Sequence, residues 1–84
     1  PDLIFLAVHG THAEDGAIQG FLELIHLPYT GSGIQSSAIA MDKNLAKSVL
    51  DRHGIRTPKG VLTRIESAPI PFDGPVIVKP NAQG

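Results

Sequence analysis

Cysteine and tryptophan are both absent from the 84 residues. Without cysteine there is no disulfide framework and no thiolate metal site. Neither sign of charge is in excess: seven Lys and Arg face eight Asp and Glu, for a net charge of −1. That balance removes the electrostatic reason to expect nucleic acid or an anionic membrane surface as a partner. No apolar run is long enough to cross a bilayer. The opening residues also lack the charged start and the cleavage site of a signal peptide. A reducing cytoplasmic location is compatible with all of this. A methionine is missing from position 1 as well. Pro1 leads straight into LIFLAV, so the chain is expected to be an excerpt of a longer protein, with any activity belonging to the parent.

What is present reads as a soluble globular sequence, 42% hydrophobic and 18% charged, long enough for one small domain at most. Residues 3–8 form a continuous apolar run closed by His9-Gly10, which predicts a strand covered on both faces, as in a parallel sheet. In residues 14–25 the apolar Ile18, Phe21, Leu22 and Ile25 recur at helical spacing. Glu14 and Asp15 are expected in the first turn of that helix, where its dipole favours carboxylates. Pro28 ends the segment, and Gly31-Ser32-Gly33 makes a turn. Residues 34–41 predict a short helix. Asp42 is an N-cap for a third helix, whose buried stripe would be Leu45, Val49 and Leu50, with Gly54 as its C-cap. Residues 60–65 and 76–79 predict two strands of a second sheet, joined by a proline-rich loop at 67–75. The order fits an α/β layer followed by an α+β segment, with a boundary near residues 40–42.

Three motifs invite chemistry and have plainer readings. Lys79 closes the run Val76-Ile77-Val78, where a buried ammonium is costly unless it meets an anion. Pro80 ends the ladder, and Asn81-Ala82-Gln83-Gly84 follows. A lysine before a small glycine loop suits phosphate capture, while spacing alone favours a strand-end lysine that snorkels to water. Lys43 stands at the start of a helix, a poor place for a cation unless an anion binds there; taken alone, a solvated lysine offset by Asp42 is the better reading. His9 lies at the carboxyl end of a parallel-type strand, where α/β folds place ligands, or is a turn histidine. His9 and His12 lack a third ligand, so a zinc site is rejected. Gly31 to Ser36 imitates a dinucleotide fingerprint but lacks the third glycine, and Lys79 is no Walker lysine because the glycines follow it.

The stretches HGTHAEDGAIQGFLEL, LPYTGSG, SSAIAMDK, GIRTP and PVIVKP, in that order, resemble the D-alanine–D-alanine ligases of the ATP-grasp superfamily. The resemblance covers most of the chain. It implies the end of an N-terminal α/β domain over residues 1–40 and the start of the central ATP-grasp domain over residues 41–84. The implied activity joins two D-alanines for peptidoglycan synthesis. ATP would phosphorylate the first carboxylate, the second amine would attack the acyl phosphate, and Mg²⁺ (or Mn²⁺) would bridge the ATP phosphates. His9 looks like the histidine beside the first D-alanine, and Glu14 like the glutamate of a hydrogen-bond network that shapes the pocket. Lys43 and Lys79 look like the two lysines of the ATP phosphates, and Gly84 like part of the glycine-rich loop over them. The likeness also implies a homodimeric, cytoplasmic parent, with metal ligands and second-substrate residues downstream. The 84 residues alone are expected to be inactive. Two alternatives remain: a D-alanine–D-lactate or D-alanine–D-serine ligase, and a non-catalytic nucleotide-binding α/β module.

Overall fold

The computed structural model describes residues 1–64 and 69–83. Its regular elements are three helices: α1 (Ala17–Leu24), α2 (Ile34–Met41) and α3 (Lys43–Arg52). α2 packs on α3 and, less extensively, on α1.

α1 starts later than the apolar spacing predicts. Its N-cap is Gly16, at φ 96°, so Glu14 and Asp15 precede the helix instead of occupying its first turn. The reason is local. The Asp15 carboxylate accepts from the backbone N–H of His12 (2.9 Å) and of Ala17 (3.1 Å), closing a turn around Gly16 that a helical backbone could not make. The far end of α1 is a Schellman motif. Leu27 N–H donates to Leu22 O (2.9 Å) and His26 N–H to Glu23 O (3.1 Å), with His26 itself at φ 57°. α3 behaves as its sequence predicts at both ends. Asp42 accepts from Leu45 N–H (2.9 Å) as N-cap. Beyond the C-cap, Gly54 at φ 72° closes a second Schellman motif: Gly54 N–H donates to Asp51 O and Ile55 N–H to Leu50 O, each at 2.9 Å.

The strands do not form as expected. Residues 3–8 contribute a single parallel bridge, Ile4 to Tyr29. It is fastened by Ile4 N–H to Pro28 O (2.8 Å) and Thr30 N–H to Ile4 O (3.0 Å). Residues 60–64 and 76–79 carry no ladder, and residue 65 lies outside the described residues. The expected parallel sheet and second sheet are therefore absent from the described residues. A strand is defined by its neighbours, and beyond the bridge to Tyr29 the described residues offer residues 3–8 none. Of the expected 67–75 loop, residues 67 and 68 lie outside the description, and 69–75 are irregular.

Burial follows the same logic. Leu22, 5% exposed, is the one buried hydrophobic side chain among the described residues. Ile77 and Val78, expected inside, are 83% and 88% exposed, and the α3 stripe is only half-covered, with Leu45 exposed. The radius of gyration is 16.2 Å, against about 12 Å for a compact domain of this length. The described residues by themselves do not enclose a core. The side chains at Leu3, Phe5 and residues 76–78 stay exposed, with little among the described residues to cover them.

Candidate functional site

Two adjoining clefts share Glu14 and Ala40 as a common wall. The first, about 280 Å³, lies between the end of residues 3–8, the 30–32 turn and the facing sides of α1 and α2, with Leu6, Val8, Gln19 and Ser37 among its walls. The second, about 260 Å³, is bounded by Glu14, Met41, Lys43 and Gln83.

Glu14 gains its place from the His9-Gly10 turn. Its backbone N–H donates to Gly10 O (3.0 Å), and its Oε2 accepts from Gly10 N–H (2.7 Å). The carboxylate thus clamps the turn after residues 3–8, and Glu14 lines both clefts. His9 itself is exposed and lines neither cleft.

Lys43 sits where the end of the chain docks on the start of α3. Its Nζ donates to Gln83 O (2.7 Å) and its backbone N–H to Asn81 O (3.0 Å). Asn44 N–H donates to Asn81 Oδ1 (2.8 Å), and Asn81 Nδ2 donates to Asp42 Oδ1 (2.9 Å). With Leu45 N–H held by Asp42, the three N–H groups of residues 43–45 all have protein acceptors. This corrects one inference from the sequence. The α3 N-terminus is not open for an anion beside Lys43, because Asp42 and Asn81 already fill it. What remains for an anion is the Lys43 ammonium, held against a backbone carbonyl of the tail.

Lys79 is exposed and makes no hydrogen bond or ion pair with the described residues. It lines neither cleft, but the segment that follows it is the one pinned to α3. Gly84 lies outside the described residues. Among those residues no group of three or more His, Cys, Asp or Glu could hold a metal ion. No helix among them is long and apolar enough to cross a membrane.

Two site residues escape the sequence reading. Asn81 is a small polar residue in a tail, with no periodicity to mark it, yet it makes three of the docking hydrogen bonds. Gln19, 6% exposed, is a polar residue buried on α1. Its Nε2 donates to Ala13 O (3.2 Å), while its Oε1 has no partner.

Asp42 and Asp15 are both held below the ordinary carboxylate range. For Asp42 the Leu45 N–H is the main cause and the Asn81 amide the next; for Asp15 the His12 N–H comes first and the Ala17 N–H second. A depressed folded pKa stabilises the fold above the unfolded value and is lost as pH falls through the folded one. The α3 cap and the docked tail are therefore expected to be intact at neutral pH and to loosen below the unfolded value of about 3.8. Amide exchange, corrected for its intrinsic pH dependence, checks this. Protection at Leu45 should hold above pH 3.8 and drop as pH falls below it, and a flat profile would sink the prediction.

The profile for the family described as D-ala D-ala ligase N-terminus matches residues 1–32. A D-alanine–D-alanine ligase of Rhizorhabdus wittichii is 46% identical over 86 aligned residues, covering all of this chain and 28% of the relative. The crystal structure of D-alanine–D-alanine ligase from Bacillus anthracis complexed with ATP superposes with a TM-score of 0.85 at 43% identity, over 96% of this chain and 30% of that one. The ligase structure from Coxiella burnetii gives a TM-score of 0.63 at 57% identity, over 64% of this chain and 16% of that one. The chain spans about 28% of the length of the curated relatives it matches.

Proposed function

Because the chain is homologous along its whole length to a segment of D-alanine–D-alanine ligases, we propose that it is part of an ATP-dependent ligase that joins two D-alanines for peptidoglycan synthesis. The supporting observation is the docking of residues 81–83 on the start of α3. It places the Lys43 ammonium 2.7 Å from the backbone of the tail that follows Lys79. On this reading residues 1–40 end an α/β domain and residues 41–84 begin the ATP-grasp domain.

ATP supplies the phosphoryl group that activates the first carboxylate. That step gathers negative charge on the transferring oxygens, and fixed cations stabilise it. Lys43 and Lys79 are the cations this chain contributes, from two segments far apart in sequence. Lys79 is exposed and has no partner among the described residues, which leaves its ammonium open to a ligand. Glu14 holds the His9-Gly10 turn through Gly10, and so sets where His9 stands beside the first D-alanine. Gly84 belongs to the loop over the phosphates. On the same reading the acidic ligands for Mg²⁺ or Mn²⁺ lie downstream in the parent protein. Homodimerisation and a cytoplasmic location accompany the same reading.

The test is product analysis with the full-length protein, ATP, Mg²⁺ and D-alanine. ADP, phosphate and D-alanyl-D-alanine should appear together, one of each per turnover. D-lactate or D-serine as second substrate should give no comparable product. Binding of a nicotinamide cofactor without ATP turnover would overturn the proposal.

A further inference from the structure

The link between the start of α3 and the tail runs mostly through one residue, by its backbone carbonyl and both ends of its side-chain amide. Asn81 offers its carbonyl to Lys43 N–H, its Oδ1 to Asn44 N–H, and its Nδ2 to Asp42 Oδ1. The two backbone N–H groups fix it to the first turn of α3, and the amide hydrogen bond fixes it to the residue that caps that turn. The contacts span 37 to 39 residues of sequence. Their partners stay put because Asp42 is itself held by Leu45 N–H. The one remaining tether between α3 and the tail in this region is Lys43 Nζ to Gln83 O. That tether is the weaker guide to position: it uses the tip of a long flexible side chain, whose ammonium is free to swing toward a phosphate.

From this geometry we infer that Asn81 is a positioning residue for nucleotide binding. It holds the segment after Lys79 in register with the start of α3, so that the ammonium groups of Lys43 and Lys79 reach the same ligand. Asn81 touches no phosphate; it acts through Lys43 and the tail. Its effect is largest once Lys43 Nζ leaves Gln83 O, because the side-chain tether is then gone and Asn81 alone joins tail to helix. The inference rests on the ligase reading above and deepens it. Only asparagine (or another side chain with both a donor and an acceptor at this reach) satisfies Asn44 N–H and the Asp42 carboxylate together.

The aspartate variant separates positioning from simple loss of packing. In Asn81→Asp the acceptor for Asn44 N–H survives, but a second carboxylate faces Asp42 across what was a 2.9 Å hydrogen bond. Two carboxylates at that range do not both ionise comfortably, so one of them binds a proton well above the usual carboxylate range. The protonated member then donates to the other and rebuilds the link. The charged groups nearby are Lys43, the next residue in the chain, and Glu14 across the cleft that Lys43 and Gln83 line. Both are present in all variants, so a comparison at matched pH cancels them.

The experiment measures affinity for a non-hydrolysable ATP analogue by calorimetry in the full-length protein, unsubstituted and with Asn81→Ala or Asn81→Asp. KM for D-alanine is measured alongside. Asn81→Ala should weaken nucleotide binding by about tenfold and leave KM for D-alanine within about twofold. Asn81→Asp should be comparably weak at about pH 7.5 and should regain part of the lost affinity at about pH 5.5. A variant Asn81→Ala that binds the analogue as well as the unsubstituted protein overturns this inference and leaves the ligase reading standing. So does an Asn81→Asp deficit that is the same at both pH values. If the unsubstituted protein binds no ATP analogue, the ligase reading itself fails and takes this inference with it.

Discussion

Gly16→Ala is expected to destabilise the fold by about 3 kcal/mol or more, the largest effect of any single methyl group here. Two costs add. Gly16 sits at φ 96°, where an alanine is strained by about 1–3 kcal/mol. Its Cβ would also lie 2.7 Å from the carbonyl oxygen of Ile34 and 3.3 Å from Ile34 Cγ2. The nearer atom is backbone at the start of α2, so it cannot swing aside as a side chain would. Relief must come from moving α2 away from the start of α1. That shift would disturb the first cleft, whose walls those helices share. Gly54→Ala is the control. Gly54 has φ 72°, and its added Cβ would meet nothing within 4 Å, so only the conformational cost of about 1 kcal/mol applies. Denaturant midpoints of the two variants in the full-length protein decide the matter. Equal losses would mean that the approach of α2 to Gly16 is not a real constraint.

The second large effect concerns affinity. Lys79→Ala should weaken ATP binding by about ten- to a hundredfold, because a charge-assisted hydrogen bond to an anion contributes about 1.5–3 kcal/mol. Stability should scarcely change, since Lys79 is exposed and has no partner among the described residues to lose. Lys43→Ala should show a similar loss of affinity with some loosening of the tail, because the Nζ bond to Gln83 O goes as well. Calorimetric titration beside a melting curve separates the two readouts. Unchanged nucleotide affinity in both variants would leave the lysines as ordinary surface cations.

How much of this could be read from the sequence depends on how far apart the interacting groups lie along it. The ends of α3 were legible, though its expected buried stripe was not realised. Its cap, its last turn and its Gly54 stop are all settled by contacts within five residues. α2 was legible too, as a short small-residue helix entered from Gly33. The start of α1 was misplaced by an equally local effect. Asp15 reads as a first-turn carboxylate, but its hydrogen bonds to His12 and Ala17 favour a turn through Gly16. The strands at 3–8, 60–65 and 76–79 illustrate the opposite limit. Their apolar patterns state what they would do with neighbours, and the described residues supply one bridge.

The candidate site divides the same way. Lys43 stood out by its setting, a cation at a helix start, whereas Glu14 read as an ordinary first-turn carboxylate and was named only through the resemblance. Lys43 looked out of place at a helix start, and the structure gives the physical reason it is tolerated: a tail carbonyl accepts from its ammonium. Asn81 and Gln19 were invisible for want of any local signal. Asn81 matters through partners 37 to 39 residues away. Gln19 is a polar residue at a helical position that reads as solvated, yet it is buried against Ala13 O.

The account turns on Lys43 and Lys79 sharing one nucleotide, and a crystal structure of the full-length protein with a non-hydrolysable ATP analogue tests that most directly. Both Nζ atoms should lie within about 2.7–3.2 Å of phosphate oxygens of the same analogue, with Asn81 still bonded to Asn44 N–H. An analogue bound elsewhere, or gripped with either lysine turned to solvent, would contradict it.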